Sequence, residues 1–159
     1  MAAPRTFPPD VDPLALEEQV CFALSVAARS VVGVYRPVLE PLGLTHPQYL
    51  VMLALWQHAP VRVAELSRLL QLDPGTLSPL LKRLERAGLL TRGKDPTDDR
   101  ALAVDLTDEG RALRERALDV PSTIVERLGM SLDELRALHA SLTDVIAAAA
   151  PQAGAGSGA

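Results

Sequence analysis

Residues 61–106 limit what this chain can fold into more than any other stretch. Asp73 is a good helix N-cap, because its carboxylate can accept from an unpaired N–H of the first turn. Pro74 follows at the first helical position, where no N–H is needed. Leu77, Leu80, Leu81, Leu84 and Ala87 then recur at helical spacing as an apolar face, and Gly88 supplies the stop. Thr76, Ser78, Lys82, Arg83 and Arg86 fall largely on the rest of that surface. A short helical pattern at 61–70 comes before. Segments 89–93 and 101–106 come after and alternate as two strands, with Gly93 to Arg100 as their tip. Helix, tight turn, helix and hairpin make a winged helix-turn-helix. The expected fold is mainly α with a small β-hairpin wing. Gly75 is flexible, and Pro79 lies inside the helix, where it removes a backbone bond. Both suggest that the backbone must approach something closely at the start of this helix.

The charge pattern points to double-stranded DNA. From Val61 to Lys94 the cations are Arg62, Arg68, Lys82, Arg83, Arg86, Arg92 and Lys94, against Glu65, Asp73 and Glu85. That segment carries +4 in a chain of net charge −4, so the remainder carries −8. An acidic protein that attracts phosphate needs such an asymmetry. Chance clustering on a solvated helix face gives the same count, and the helix-turn-helix pattern decides between them.

The rest of the chain supplies core and a second apolar surface. Its 159 residues, 48% hydrophobic, suffice for one domain with a full core. Aromatics at 3% argue against base-stacking single-strand binders. Residues 1–13 read as a flexible arm, 14–150 as a single domain and 151–159 (PQAGAGSGA) as a disordered tail. A helix over 14–40 carries a wide stripe from Leu16 to Leu39, with Pro37 expected to bend or end it. A second helix over 45–58 is capped by Thr45, with Leu50, Leu53, Ala54 and Trp56 as its core. Thr107 opens a helix through about Leu128, with Leu113, Ala117, Val120 and Ile124 along one side. Ser131 and Glu134 form a capping box for the last helix, whose apolar positions run from Leu132 to Ile146.

Both terminal helices have more apolar surface than one small core needs. Segments 14–44 and 108–150 are therefore read as dimerisation helices, and 45–107 as the DNA-binding part. A homodimer would set two recognition helices about 34–36 Å apart on a pseudo-palindromic operator. The alternative is a monomer whose helices fold back over one core. No uninterrupted apolar run of membrane-spanning length and no signal peptide is read, so the expectation is a cytoplasmic protein with no membrane partner. No His/Cys cluster has zinc spacing, and no metal or cofactor is expected.

Asp98-Asp99-Arg100 matches the D-x-R wing pattern of the MarR family of bacterial regulators, and the helical order matches over about residues 14–149. The segments LEEQVCFAL at 16–24, THPQYL at 45–50 and LDPGTLSPLLKRLE at 72–85 resemble the organic hydroperoxide resistance branch of that family, of the one-cysteine type. Members of that branch repress a peroxidase gene and leave DNA when a cysteine near the start of the first helix is oxidised. The resemblance implies a repressor rather than an enzyme. It also implies that Gly75, Thr76, Ser78, Pro79, Lys82 and Arg83 face the major groove. Arg100 would enter the minor groove, with Asp98 holding it in shape. An exposed wing-tip ion pair of little consequence is the plainer reading of Asp98 and Arg100.

Cys21 is the only cysteine, so no intrachain disulfide can form. A lone cysteine is more often a small buried hydrophobe than a reactive group. The resemblance implies a sensor whose thiolate is stabilised from the partner subunit by tyrosine hydroxyls. One of these matches Tyr35. The second falls at His46, and a third family tyrosine is Ser25 here, so the chain departs from the pattern at both places. An imidazole can replace a phenol as a cation or as a hydrogen-bond donor. The plainer reading has His46 merely beside the Thr45 cap. An organic hydroperoxide would convert Cys21 to a sulfenic acid, and with no resolving cysteine a low-molecular-weight thiol, a sulfenamide or overoxidation must follow. Three other functions compete: a MarR-type repressor released by a small phenolic ligand, a thiol peroxidase, and an architectural DNA binder without a signal.

Overall fold

The computed structural model describes residue 8 and residues 10–150. The expected tail lies wholly, and the expected arm mostly, outside the described residues. The chain divides into two compact units, one through Val120 and one from Pro121 onward.

The first long helix starts later than its sequence pattern suggests. Leu16–Glu18 form a 3-10 turn, and Gln19 is extended, its side-chain amide donating to the carbonyls of Pro13 and Ala15 at 2.8 and 3.1 Å. Helix α1 then runs Val20–Leu39. Pro37 sits in its last turn without ending it. The residue four before Pro37 is Gly33, whose carbonyl loses its helical donor and has the freedom to tilt aside. A second 3-10 turn, Glu40–Leu42, ends at Gly43, which takes φ +69°. Only Leu39 of α1 is buried.

Helix α2 (His46–His58) carries the capping box Thr45–Gln48. Its core residues are Tyr49, Val51, Met52 and Leu55, while Leu50 and Leu53 stay 39% and 41% exposed, contrary to the sequence expectation. The segment YLVMLALW is apolar on every side, so periodicity could not choose its inner face.

Val61 and Arg62, expected in the next helix, form the short strand β1 instead. Helix α3 (Val63–Leu70) follows, then a turn in which Gln71 takes φ +52°, then α4 (Pro74–Arg86). Leu66, Leu77, Leu80, Leu81 and Leu84 are buried; Ala87, expected on that face, is exposed at the helix end. Strands β2 (Leu90–Asp95) and β3 (Asp98–Leu106) run further into the wing than expected, leaving only Pro96 and Thr97 at the turn. The antiparallel sheet has the order β1-β3-β2, with Arg62 opposite Ala103 and Gly93 opposite Ala103 on its other side. The register shifts near the tip: Lys94 faces Leu102, but Asp95 faces Asp98, so Asp99, Arg100 and Ala101 stand outside the regular ladder.

The helix expected from Thr107 to Leu128 is two helices, α5 (Asp108–Ala117) and α6 (Val120–Leu128), separated at Leu118 and Asp119. Leu113, Ala117, Val120 and Ile124 are buried as expected. Gly110 fits where nothing larger can: a Cβ there would lie 2.0 Å from the Leu89 carbonyl oxygen. The Gly110 carbonyl also accepts from the Trp56 indole at 2.9 Å, joining α5 to α2. Helix α7 (Leu132–Ala149) opens with the Ser131–Glu134 capping box and buries none of its residues.

Val20–Leu42 is long and apolar enough by length and composition to cross a membrane, although no uninterrupted apolar run spans it. A helix face awaiting another protein chain passes the same test as one facing lipid. This segment contains Arg29, Arg36 and Glu40, which suit a protein surface better than a bilayer interior.

Candidate functional site

Helix α4 is built to present its N-terminus. The Asp73 carboxylate accepts the Thr76 N–H at 3.0 Å and the Thr76 hydroxyl at 2.7 Å, which holds it below the usual carboxylate range. A Cβ at Gly75 would lie 3.0 Å from Asp73 Oδ2, so glycine serves the cap as well as any close approach from outside. Pro79 has no N–H for the Gly75 carbonyl, leaving that acceptor without its helical donor. Gly75, Thr76, Pro79, Lys82 and Arg83 are exposed, and Ser78 is half-buried. The buried leucines hold the opposite side of α4 against the core, so these six residues share the outward part of one helix.

The structure sorts the cations counted in the sequence. Arg68 pairs with Glu65, Arg92 with Glu85 at 2.7 Å, and Arg62 with Asp95 at 2.8 Å. Each of these carboxyls is held below its ordinary range by its arginine. Among the described residues Lys82, Arg83, Arg86, Lys94 and Arg100 make no ion pair. The cations free of ion pairs therefore lie on the outer face of α4 and on the wing, where Asp98 and Asp99 offset Lys94 and Arg100. That is the arrangement a helix in the major groove with a wing beside it requires.

On the wing, Asp98 Oδ1 accepts the Arg100 N–H at 3.0 Å. The carboxylate shapes the backbone of Arg100 and does not engage its guanidinium. The tip is held instead by residues that sequence reasoning missed. Arg62 Nε donates to Asp95 Oδ2 at 2.8 Å and Arg62 Nη2 to Thr97 Oγ1 at 3.1 Å. The Thr97 N–H and hydroxyl both donate to Asp95 Oδ1, at 2.7 and 2.6 Å. Asp-Pro-Thr is a turn signature, and Arg62 between Val61 and Val63 alternates as a strand does, so the local signals were present. Their meeting across 33 residues was not legible.

Cys21 is exposed near the start of α1, and the Ser25 hydroxyl donates to its carbonyl at 2.8 Å. Tyr35 lies further along the same helix. At a rise of about 1.5 Å per residue the two are roughly 21 Å apart, so they cannot meet within one chain. Tyr35 and His46 do meet: their rings are 5.0 Å apart, edge to face, and Tyr49 lies 5.9 Å beyond Tyr35. Burial lowers the pKa of His46, favouring the neutral imidazole, and raises that of Tyr35, favouring the phenol. Both are therefore potential hydrogen-bond donors at neutral pH. Beside His46, between α1 and the start of α2, a cavity of about 520 Å³ is lined by Val32, Arg36, Glu40, Leu44 and Pro47 among others.

Residues 44–102 match the MarR family. Over 131 residues the chain is 40% identical to the organic hydroperoxide resistance transcriptional regulator of Bacillus subtilis, covering 82% of this chain and 89% of that one. The chain belongs to the MarR family. It is also 44% identical to the transcriptional regulator TtmR of Methylorubrum extorquens, over 84% of this chain and 69% of that relative. Among solved structures, reduced AbfR bound to DNA is similar at a TM-score of 0.69 and 32% identity, covering 82% of this chain and 91% of that one. AbfR is a Staphylococcus epidermidis protein, also solved in an overoxidised form bound to DNA. The repressor CouR of Rhodococcus jostii, bound to a 23-mer duplex, gives 0.76 at 28% identity over 86% of this chain and 99% of that one. The winged helix-turn-helix expected for this MarR chain is thus the fold it has. The matched segment 44–102 contains every candidate DNA contact and His46, while Cys21 and Tyr35 lie outside it, on α1.

Proposed function

We propose that this chain is a transcriptional repressor that binds an operator as a homodimer and releases it when an organic hydroperoxide oxidises Cys21. The observation that carries this reading is the exposed Cys21 thiol on α1, the one cysteine of the chain. The 40% identity to a hydroperoxide resistance regulator supports the choice of signal. In this reading Gly75, Thr76, Ser78, Pro79, Lys82 and Arg83 face the major groove, and Arg100, shaped by Asp98, faces the minor groove. Segments 14–44 and 108–150 make the dimer and 45–107 reads DNA. The protein has no catalytic turnover and works in the cytoplasm, where its operator is.

The distance along α1 supports the two-chain sensor. If two copies of α1 cross antiparallel near Ala28, midway between Cys21 and Tyr35, each thiol comes opposite Tyr35 and His46 of the partner subunit. Ala28 lies at seven-residue spacing from both Cys21 and Tyr35, hence on their face, and is small enough for a close crossing. A phenol and a neutral imidazole there can each donate to the thiolate. The thiolate attacks the terminal oxygen of the hydroperoxide and breaks its O–O bond, so that Cys21 becomes a sulfenic acid and the alkoxide leaves, taking a proton from solvent to become the alcohol. A low-molecular-weight thiol then condenses with the sulfenic acid, giving a mixed disulfide and water. Overoxidised AbfR occurs on DNA, so release here follows from the bulk and charge of the thiol adduct rather than from added oxygen alone. The adduct would alter the crossing and lose the half-site spacing.

Operator binding, followed by fluorescence anisotropy at fixed salt on DNA from the gene's own upstream region, tests this. The parent should dissociate after one equivalent of organic hydroperoxide plus a small thiol, and Cys21→Ser should stay bound. If both stay bound, the cysteine is structural. A second reading then gains: the cavity of about 520 Å³ beside His46, with Arg36 in its wall, favours release by a small anionic phenolic ligand. An aromatic acid that releases both proteins would establish it.

A further inference from the structure

The wing tip is fastened from outside the wing. Strand β1 is two residues long and lies on the far side of β3 from β2. From there Arg62 spans to the turn, where one edge of its guanidinium donates to Asp95 and Thr97 together. Thr97 completes a closed triangle by donating both its N–H and its hydroxyl to Asp95. The Asp95 side chain is only 10% exposed while that of Arg62 is 46% exposed, so the geometry of the hydrogen bonds, more than shielding from solvent, holds the pair. Asp95 faces Asp98 across the turn, and Asp98 in turn accepts the Arg100 N–H. Arg100 itself belongs to the residues outside the regular ladder, where strand pairing does not fix its direction. Hydrogen bonds thus join Arg62 to the turn, strand pairing joins Asp95 to Asp98, and the Asp98 carboxylate holds the backbone of Arg100.

We propose that Arg62 is a positioning residue for DNA recognition, aiming Arg100 by clamping the Asp95–Pro96–Thr97 turn. The inference rests on the reading of Arg100 as a DNA contact. It makes Arg62, a cation in the DNA-binding part, a residue that acts through another and not through phosphate. With the clamp open, the tip samples more conformations, and ordering it on DNA takes free energy away from binding.

The two roles predict opposite signs. If Arg62 touched phosphate, Asp95→Asn would free its charge and remove a negative charge near DNA, and binding would tighten. If Arg62 is a clamp, Asp95→Asn breaks the clamp and binding weakens. Operator affinity by anisotropy should fall about threefold to tenfold in both Arg62→Ala and Asp95→Asn. In an Arg100→Ala background either change should have no further effect, because the contact being aimed is gone. Thr97→Val, which leaves every charge in place, should reproduce part of the loss. Circular dichroism and thermal unfolding of each variant, with Thr97→Val as the mildest, separate a loosened tip from a misfolded chain. Unchanged or tighter binding by Asp95→Asn, or equal losses with and without Arg100, overturns the proposal. Failure of Arg100→Ala itself to weaken binding overturns instead the reading of Arg100 on which it rests.

Discussion

Arg100 and His46 illustrate how much a single side chain can be asked to do here. Arg100 makes no ion pair among the described residues, which leaves its charge available to DNA. Arg100→Ala should weaken operator binding by tenfold or more, about 1.4 kcal/mol, by anisotropy titration; unchanged affinity removes it from the interface. His46 is tested at the cysteine. If it donates to the thiolate of the partner's Cys21, His46→Ala should slow alkylation of Cys21 at neutral pH, and Tyr35→Phe should do the same. Equal rates across pH refute that role. His46 also makes a pH prediction. Burial lowers its folded pKa below the ordinary 6.5, so the unfolded chain takes up this proton first as pH falls. Stability should decline with acidification in the window beneath about 6.5, and denaturant melts at pH 7.5 and 5.5 should show a smaller decline in His46→Asn.

Helix α4 and the start of α5 show two uses of glycine and proline within elements. In α1 and α4 alike, the residue four before the internal proline is glycine, at 33 and 75. That pairing lets each helix continue through Pro37 and Pro79. Restoring the missing bond by Pro79→Ala should stabilise α4, by at most about 3 kcal/mol, while returning the Gly75 carbonyl to the helix. Chemical denaturation reads the first effect and operator titration reads any loss of recognition. Gly110 is governed by space. An added methyl would strike the Leu89 carbonyl, so Gly110→Ala should destabilise by about 1–3 kcal/mol, with the Trp56 fluorescence transition as the readout. The element boundaries that sequence misplaced fall at Gln19, which folds back on the preceding turn, at β1, recruited by the distant β3, and at the turn of Leu118 and Asp119. Each depends on contacts that helical periodicity does not encode.

At the scale of the whole molecule, the unpartnered apolar surface asks for a second copy. Along α7, Leu135, Leu138, Leu142, Val145 and Ile146 share a face, and Ile146 is 52% exposed. Along α1 only Leu39 is buried, though the helix is apolar for most of its length. Light scattering after size exclusion should give a dimer at micromolar concentration. Ile146→Asp should shift it toward monomer and weaken operator binding, since both half-sites must be engaged together. A monomeric parent that binds its operator tightly would remove the dimer from the mechanism.

The sequence alone determined the elements whose signals are local. These are the Asp73-Pro74 opening of the recognition helix, the Gly88 stop, the Thr45 cap, the Ser131–Glu134 capping box, the leucine face of α4, and the inward positions Leu113, Ala117, Val120 and Ile124. A cap or a 3.6-residue period needs only neighbours in the chain to be meaningful, so these could be read without coordinates. The tertiary structure decided what depends on residues far apart. It chose the inner face of the uniformly apolar α2, brought Tyr35 against His46, and turned three of the seven counted cations into ion pairs. It also carried Arg62 across the sheet to Asp95. None of these follows from spacing, because each is settled by which surfaces are left to meet once the local elements have formed.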